Sequence, residues 1–305
     1  MILLFLSFLL MSAFFVIKEQ RITRLIIYLS IFSLISSICF LIFAAPDVAM
    51  AEAVVSAFST IIFIVCFEKY YSLVGISDNT KKTGVIPFIF TVLLAALFIW
   101  FIPDKTHNTY LKDQYISMFP HDVGGENAVT SIYLGYRMYD TLFEALMLLV
   151  SIVAVVHLSW FKETFAAEGK HSDIKSSDIA VVTIRVICPV LLLFSAYLIA
   201  NGHISPGGGF HGGVMAASFF VCRYMIFDIY DMRIDKVITL EKLIYIGIIL
   251  LSVYFIIIGA EAYFPIIDNP ISQVAYLVMM NLLIGMKVAC GFLIVFYRFI
   301  AFERR

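Results

Sequence analysis

The sequence predicts an all-α polytopic membrane protein of about nine transmembrane helices, its N-terminus outside and its C-terminus cytoplasmic. Three observations lead there. Hydrophobic residues fill 62% of 305 positions and charged residues only 14%, against roughly a quarter charged in soluble domains. The apolar residues fall in runs near the ~20 residues that cross a bilayer as a helix. Basic residues gather in alternate loops between those runs, as the positive-inside bias requires. The ten-residue alternation of a membrane β-barrel is missing.

The runs are 2–17, 25–45, 47–67, 85–102, 139–160, 179–200, 213–230, 243–264 and 271–300. The first is not read as a signal peptide. It lacks a basic leading region, and Lys18, Arg21 and Arg24 follow it without a small-residue cleavage site. With the N-terminus outside, fifteen of the 21 Lys and Arg residues fall in cytoplasmic segments, and the outer loops keep only Lys105 and Lys112. Arg137, Arg185, Arg223 and Lys287 lie in or at the edges of runs. The net charge of −1 therefore hides an ordered distribution and gives no sign of a nucleic-acid partner.

Five cysteines stand singly in apolar runs, with no C-x-x-C pair, so no zinc or iron–sulfur site is expected. No G-x-x-x-x-G-K-[ST] phosphate loop occurs. Two polar links, 69–84 and 161–178, divide the chain into modules of three, two and four helices: residues 1–75, 76–170 and 171–305. Residues 103–130 form the largest outer loop in this reading.

Between the sixth and seventh runs lies "NGHISPGGGFHGG", residues 201–213. Its "GGGFHG" fits G-x-G-x-x-G, but a dinucleotide site needs a preceding strand and a βαβ unit, so no nucleotide is predicted. His203 and His211 have no acid or cysteine close by in the sequence, so no metal is predicted; both are kept as titratable groups. Pro206 starts a turn, and Gly207, Gly208 and Gly209 supply positive φ within it. Gly212 with Ala216, and Gly213 with Ala217, put small residues four apart, which lets a neighbouring helix approach closely.

Ionisable groups at membrane depth cost at least ~2.5–3.5 kcal/mol by insertion scales, so each is a functional candidate. Asp47 follows Pro46 at the start of the third run and suits a helix N-terminus. Glu52 lies deeper, roughly 7–8 Å further along. Arg137, Asp140 and Glu144 share one helix face at i, i+3 and i+7. Arg137 and Asp140 are placed to pair at the interface, while Glu144 has no cation at helical spacing. Lys287 sits about 20–24 Å from either end of the last run, too deep to snorkel. It requires a carboxylate, a wet cavity or a lost proton; Glu144 and Glu261 are the acids proposed for it.

These stretches carry a resemblance. "YLIANGHISPGGGFHGGVMAA" resembles the B subunit of Mrp-type multisubunit Na+/H+ antiporters, with its GH-x-x-PGGGF-x-GG signature, and "NLLIGMKVACG" resembles that subunit's last helix. "APDVAMAEAVV" is similar to the APDVA-x-x-EA motif of the small domain at the C-terminal end of the antiporter A subunit, which also stands alone as the D-type component of membrane-bound hydrogenases. "GGENAVTSIYLGYR" and "YRMYDTLFEALML" resemble the E-type domain that follows, with its R-x-x-DTLGE signature. Four positions depart from those patterns: His211 for glutamine, Ala51 for threonine, Gly135 for aspartate and Phe143 for glycine.

The resemblance implies a membrane subunit of a cation/proton antiporter in a prokaryotic plasma membrane, partnered by other membrane subunits and the lipid bilayer. It implies an ion or proton path drawn from Asp47, Glu52, Arg137, Asp140, Glu144, Glu261 and Lys287. No catalytic residue, resident metal or cofactor is expected, beyond a transient Na+. Two alternatives stand beside it. One is the ion-pumping membrane arm of a ferredoxin-driven hydrogenase or oxidoreductase, whose catalysis belongs to other subunits. The other is a scaffold in which the charges only hold helices together.

Overall fold

A computed structural model describes residues 2–19, 21–71, 93, 110–160, 178–227, 233–261 and 273–301. The fourth run (85–102), except position 93, and both polar links beyond residue 71 and from 161 to 177 lie outside them. Every regular element among the described residues is helical. In order they are α1 (Ile2–Lys18), α2 (Ile22–Ile42), α3 (Pro46–Tyr71), α4 (Tyr110–Asp122), α5 (Ala128–Ser131) running into a π-helical turn (Ile132–Tyr136), α6 (Met138–Trp160), α7 (Asp178–Ala200), α8 (Gly209–Phe227), α9 (Ile234–Glu261) and α10 (Gln273–Ala301). Among them, five helices are long and apolar enough to cross a membrane, with spans 24–42, 138–157, 181–200, 234–257 and 274–298.

The first three helices form a consecutive up-and-down stack, α1 on α2 and α2 on α3. The turn from α2 to α3 is only three residues long. Ala44 takes φ 57° there, and the Ala45 N–H returns to the Phe40 carbonyl at 2.9 Å. This is a left-handed helix cap that glycine usually fills. Pro46 then opens α3, where its missing N–H removes no helical bond.

The C-terminal helices pack around α10. That helix touches α6, α7, α8 and α9, and reaches α3 as well. The core joins Val214, Ala217 and Val221 of α8 to Ile244 and Ile248 of α9, and to Leu277, Met280, Ile284 and Val288 of α10. Phe58 of α3 enters the same core with Leu134 and Met138. Tyr276 stacks flat on Phe255, ring centroids 4.0 Å apart. The three modules drawn from the sequence therefore contribute to one apolar interior.

Three expectations change. The stretch read as an outer loop, 103–130, contains α4 and the start of α5. Asn127 explains the latter: its Oδ1 accepts from the N–H groups of Val129 and Thr130 at 3.0 and 3.4 Å, an N-cap that hydropathy does not register. The helix expected from 243 begins nine residues earlier, at Ile234. Asp235, Lys236, Glu241 and Lys242 are charged and so fall outside the apolar run, yet they ride on the first turns of the helix. Gly209 and His211 likewise belong to α8 rather than to the turn before it. The π-helical turn frees carbonyls, and side chains satisfy two of them: Thr141 bonds the Tyr133 carbonyl at 2.8 Å and Tyr276 that of Leu134 at 3.0 Å.

Candidate functional site: a glycine-loop junction and a buried ion pair

The glycine stretch is the place where the start of α3, the Asn127–Tyr133 segment and α10 meet. The chain leaves α7 at Ala200 and must enter α8 at Gly209 within eight residues, so the backbone doubles back with Gly207 at φ 137° and Gly208 at φ 102°. A side chain at either position would be strained. The carboxylate of Asp47, at the start of α3, accepts the Gly207 N–H at 3.1 Å and the Asn127 side-chain amide at 3.4 Å. The Asp47 backbone carbonyl accepts from His211 Nε2 at 3.1 Å. A carbonyl only accepts, so the proton sits on Nε2 and the buried Nδ1 is left as an acceptor without a partner.

From the middle module, Thr130 Oγ1 donates to the Gly202 carbonyl at 2.6 Å, and the N–H groups of Glu126 and Asn127 both reach the His203 carbonyl at 2.9 Å. From α10, Asn281 Oδ1 accepts the Gly209 N–H at 3.0 Å and lies 3.4 Å from the Tyr133 hydroxyl. Burial pushes the Tyr133 phenol up to about 12, so it remains a neutral donor. Ser131 Oγ, His203 Nδ1 and Asn281 Nδ2 are buried around this junction without partners.

The small residues of α8 set close packing. A Cβ on Gly213 would lie 2.6 Å from the Gly285 carbonyl oxygen of α10, and one on Gly212 would lie 2.9 Å from the Ser195 carbonyl oxygen of α7. Ser195 Oγ also bonds the Gly212 carbonyl at 2.7 Å. Pro206 is exposed on the loop's outer side.

The second centre is Lys287. It stands fourteen residues from each end of α10, and its partner is Glu241 of α9. Both side chains are 1% exposed. The Tyr245 ring lies one turn further along α9, its centroid 4.8 Å from the ammonium. The pairing corrects the expectation of Glu144 or Glu261. Glu261 is the last residue of α9, twenty positions from Glu241 and so about 30 Å away along the helix. Glu241 escaped sequence reading because it precedes the apolar run, next to Lys242, where a charged pair reads as the water-facing end of a loop. The available signal was periodicity: Glu241, Ile244, Tyr245 and Ile248 share one helix face.

The remaining predicted residues are separate. Glu52 is half-buried on α3 and accepts from the Ser33 hydroxyl of α2. That hydroxyl comes from a different helix than the family's threonine, whose place Ala51 holds. One turn away, Ser37 Oγ bonds the Ala49 carbonyl at 2.7 Å. Arg137 and Asp140 pair at 2.5 Å with both side chains more than half exposed. Glu144 lies on the same exposed face of α6, between Phe143 (62% exposed) and Met147 (70%). No group of three or more His, Cys, Asp or Glu residues with metal-ligand geometry occurs among the described residues.

With that geometry in view, comparison with known proteins is direct. Residues 179–294 match the family model described as a domain related to the MnhB subunit of Na+/H+ antiporters, and residues 7–71 match MbhD, the D-type component of membrane-bound hydrogenase, MBH. The chain thus carries an MnhB-related domain toward its C-terminal side and an MbhD domain toward its N-terminal side. The MnhB-related domain holds the glycine loop, Glu241 and Lys287; the MbhD domain holds Asp47, Glu52 and Ser33.

Putative antiporter subunits mnhA2 are similar to about half of the chain. That of Staphylococcus saprophyticus is 30% identical over 149 residues, covering 48% of this chain and 18% of its own length. That of Staphylococcus haemolyticus is 28% identical over 146 residues, with the same coverage. The chain thus spans about a fifth of the length of these relatives. Among solved structures, the Mrp complex of Dietzia sp. DQ12-45-1b has the same fold over 99% of this chain and 35% of its own, at a TM-score of 0.74 and 15% identity. The archaeal membrane-bound sulfane sulfur reductase covers 69% of this chain and 95% of its own, at a TM-score of 0.55 and 24% identity.

Proposed function

We propose that this protein is a membrane subunit of a multisubunit Na+/H+ antiporter in a prokaryotic plasma membrane, with Glu52, Glu144 and Lys287 on its ion or proton path. The observation that carries the reading is Lys287: an ammonium held at mid-helix in the MnhB-related domain, buried against a single carboxylate. A carboxylate holds Na+ or H+ but not both, and a nearby lysine biases that competition. In this reading nine helices cross the membrane with the N-terminus outside and the C-terminus inside, arranged as modules 1–75, 76–170 and 171–305. The glycine loop then lies on the outer side, joining the modules, with Asp47 and His211 as polar groups near the surface.

Glu144 fits this reading as a shared residue. It sits on an apolar, uncovered face of α6 within a candidate span, where contact with lipid would cost several kcal/mol. A transmembrane helix of a partner subunit covers it, supplying a hydrogen-bond donor or the rest of an ion site. Glu144→Gln abolishes Na+-dependent proton flux in vesicles carrying the whole complex, while the complex still assembles. Full flux in that variant would remove Glu144 from the path.

A second reading makes the same chain part of the membrane arm of a redox-driven complex. The match of residues 7–71 to the MbhD component of MBH favours it. Purification from native membranes in mild detergent, with partner identification and iron and nickel assays, separates the two. Antiporter subunits without metal support the first, and iron–sulfur partners support the second.

A further inference from the structure

The pair at the centre of the MnhB-related domain holds more than a structural contact requires. Glu241 uses one oxygen on Lys287, and its other oxygen, Oε2, is buried with no partner. An unmatched carboxylate oxygen at 1% exposure is costly. A pair serving cohesion alone would be expected to give both carboxylate oxygens a partner.

We propose that Glu241 and Lys287 form a proton-exchange site, Glu241 being the acceptor of the proton that Lys287 releases during transport. This deepens the antiporter reading and rests on it. The step is a single proton transfer. The N–H bond at Lys287 Nζ breaks, an O–H bond forms on the Glu241 carboxylate, and the charged pair becomes a neutral amine beside a carboxylic acid. Two buried charges cost several kcal/mol each in desolvation, a cost that a neutral amine beside a carboxylic acid avoids. Oε2 is where a second proton or a cation reaches the carboxylate without displacing Lys287.

The surroundings suit that exchange. Tyr245 of α9 and Cys290 of α10 are the titratable groups set beside the pair. Among the described charged residues of the neighbouring helices, Asp140 and Glu144 on α6, Arg185 on α7, Arg223 on α8, and Asp235, Lys236 and Lys242 on α9, with Arg233 just before it, are exposed. Asp47 and Glu52 on α3 and Arg298 on α10 are half-buried, and His211 on α8 is buried. The position of the pair also explains why Lys287 stays anchored at depth: an equal length of α10 runs to either side of it.

The test uses the assembled complex in sealed vesicles, comparing wild type with Glu241→Gln, Glu241→Asp and the double variant Glu241→Gln with Lys287→Met. Neutral replacement of both members of a buried pair is often tolerated by the fold, so the double variant is expected to assemble. Its Na+-driven proton flux should fall by about tenfold or more, the scale on which a positioned proton carrier acts. Glu241→Gln should displace the pH profile of any residual flux, and Glu241→Asp should restore part of the rate. A double variant with wild-type flux and pH profile overturns the proposal, leaving the pair as packing. So does failure of both the double and the Glu241→Asp complexes to assemble. Absence of Na+/H+ exchange in the wild-type complex overturns the antiporter reading itself, which separates that failure from this one.

Discussion

Asp47 and Gly207 lie 160 positions apart and are joined by one hydrogen bond of 3.1 Å, from the loop N–H to the carboxylate at the start of α3. Through it the MbhD domain grips the glycine loop of the MnhB-related domain. The same carboxylate oxygen receives the Asn127 amide, so three segments converge on a single side chain.

Removing that carboxylate leaves the Gly207 N–H, a buried donor, unmatched. Asp47→Ala should therefore lower the stability of the purified complex by about 1–3 kcal/mol, whereas Asp47→Asn keeps an acceptor oxygen and should lose less. Thermal unfolding of the two variants side by side checks the order. Equal losses would mean that charge at the N-terminus of α3, rather than the bond to Gly207, is what matters.

Two glycines in consecutive helices, Gly213 of α8 and Gly247 of α9, should respond oppositely to alanine. At Gly213 the new methyl meets the Gly285 carbonyl at 2.6 Å, and forcing α8 and α10 apart should cost about 1–3 kcal/mol. At Gly247 the nearest atom is 3.8 Å away, and Gly247→Ala should gain about 0.5–1 kcal/mol from reduced backbone freedom. Detergent-resistance or thermal assays of both variants read the difference in sign.

Ala44 holds a left-handed backbone at the α2–α3 turn. Ala44→Gly removes the clash between Cβ and the following carbonyl, worth about 1 kcal/mol, and should raise Tm by about 2–4 °C at this chain size. An unchanged or lower Tm would show that the freedom glycine gains in the unfolded chain outweighs the relief.

The uncovered α6 face makes a prediction about assembly. Met147 and Val150, 70% and 59% exposed, follow Glu144 along the exposed side of α6. Val150→Asp should abolish co-purification with partner subunits while this chain still inserts and stays proteolytically stable. Retained partners would place the interface on another face.

How much of this was legible beforehand differs by feature. Long apolar runs are written residue by residue, so α2, α6, α7, α8, α9 and α10 were visible, with errors confined to their ends. The errors share a cause: hydropathy stops a helix where charge begins, but Glu241 and Lys242 continue α9 because backbone hydrogen bonding does not depend on side-chain polarity. The depth of Lys287 was legible from run length; its partner was not. Opposing helices meet through packing angles that no single sequence displays, and so Glu241 surfaced only once α9 lay against α10.

The sequence by itself determined that this chain is a helical membrane protein, that Lys287 lies in the middle of its apolar run, and that the stretch around 201–213 must turn tightly. Those follow from local chemistry: apolar run length, the cost of buried charge and the backbone latitude of glycine. Only the tertiary structure decided that Lys287 answers to Glu241, that Ser33 serves Glu52, that Asp47 closes the glycine loop and that Glu144 faces outward. Each of these is a meeting of residues distant in the chain, set by how helices rotate and slide against one another, and that choice is made by the packed interior as a whole.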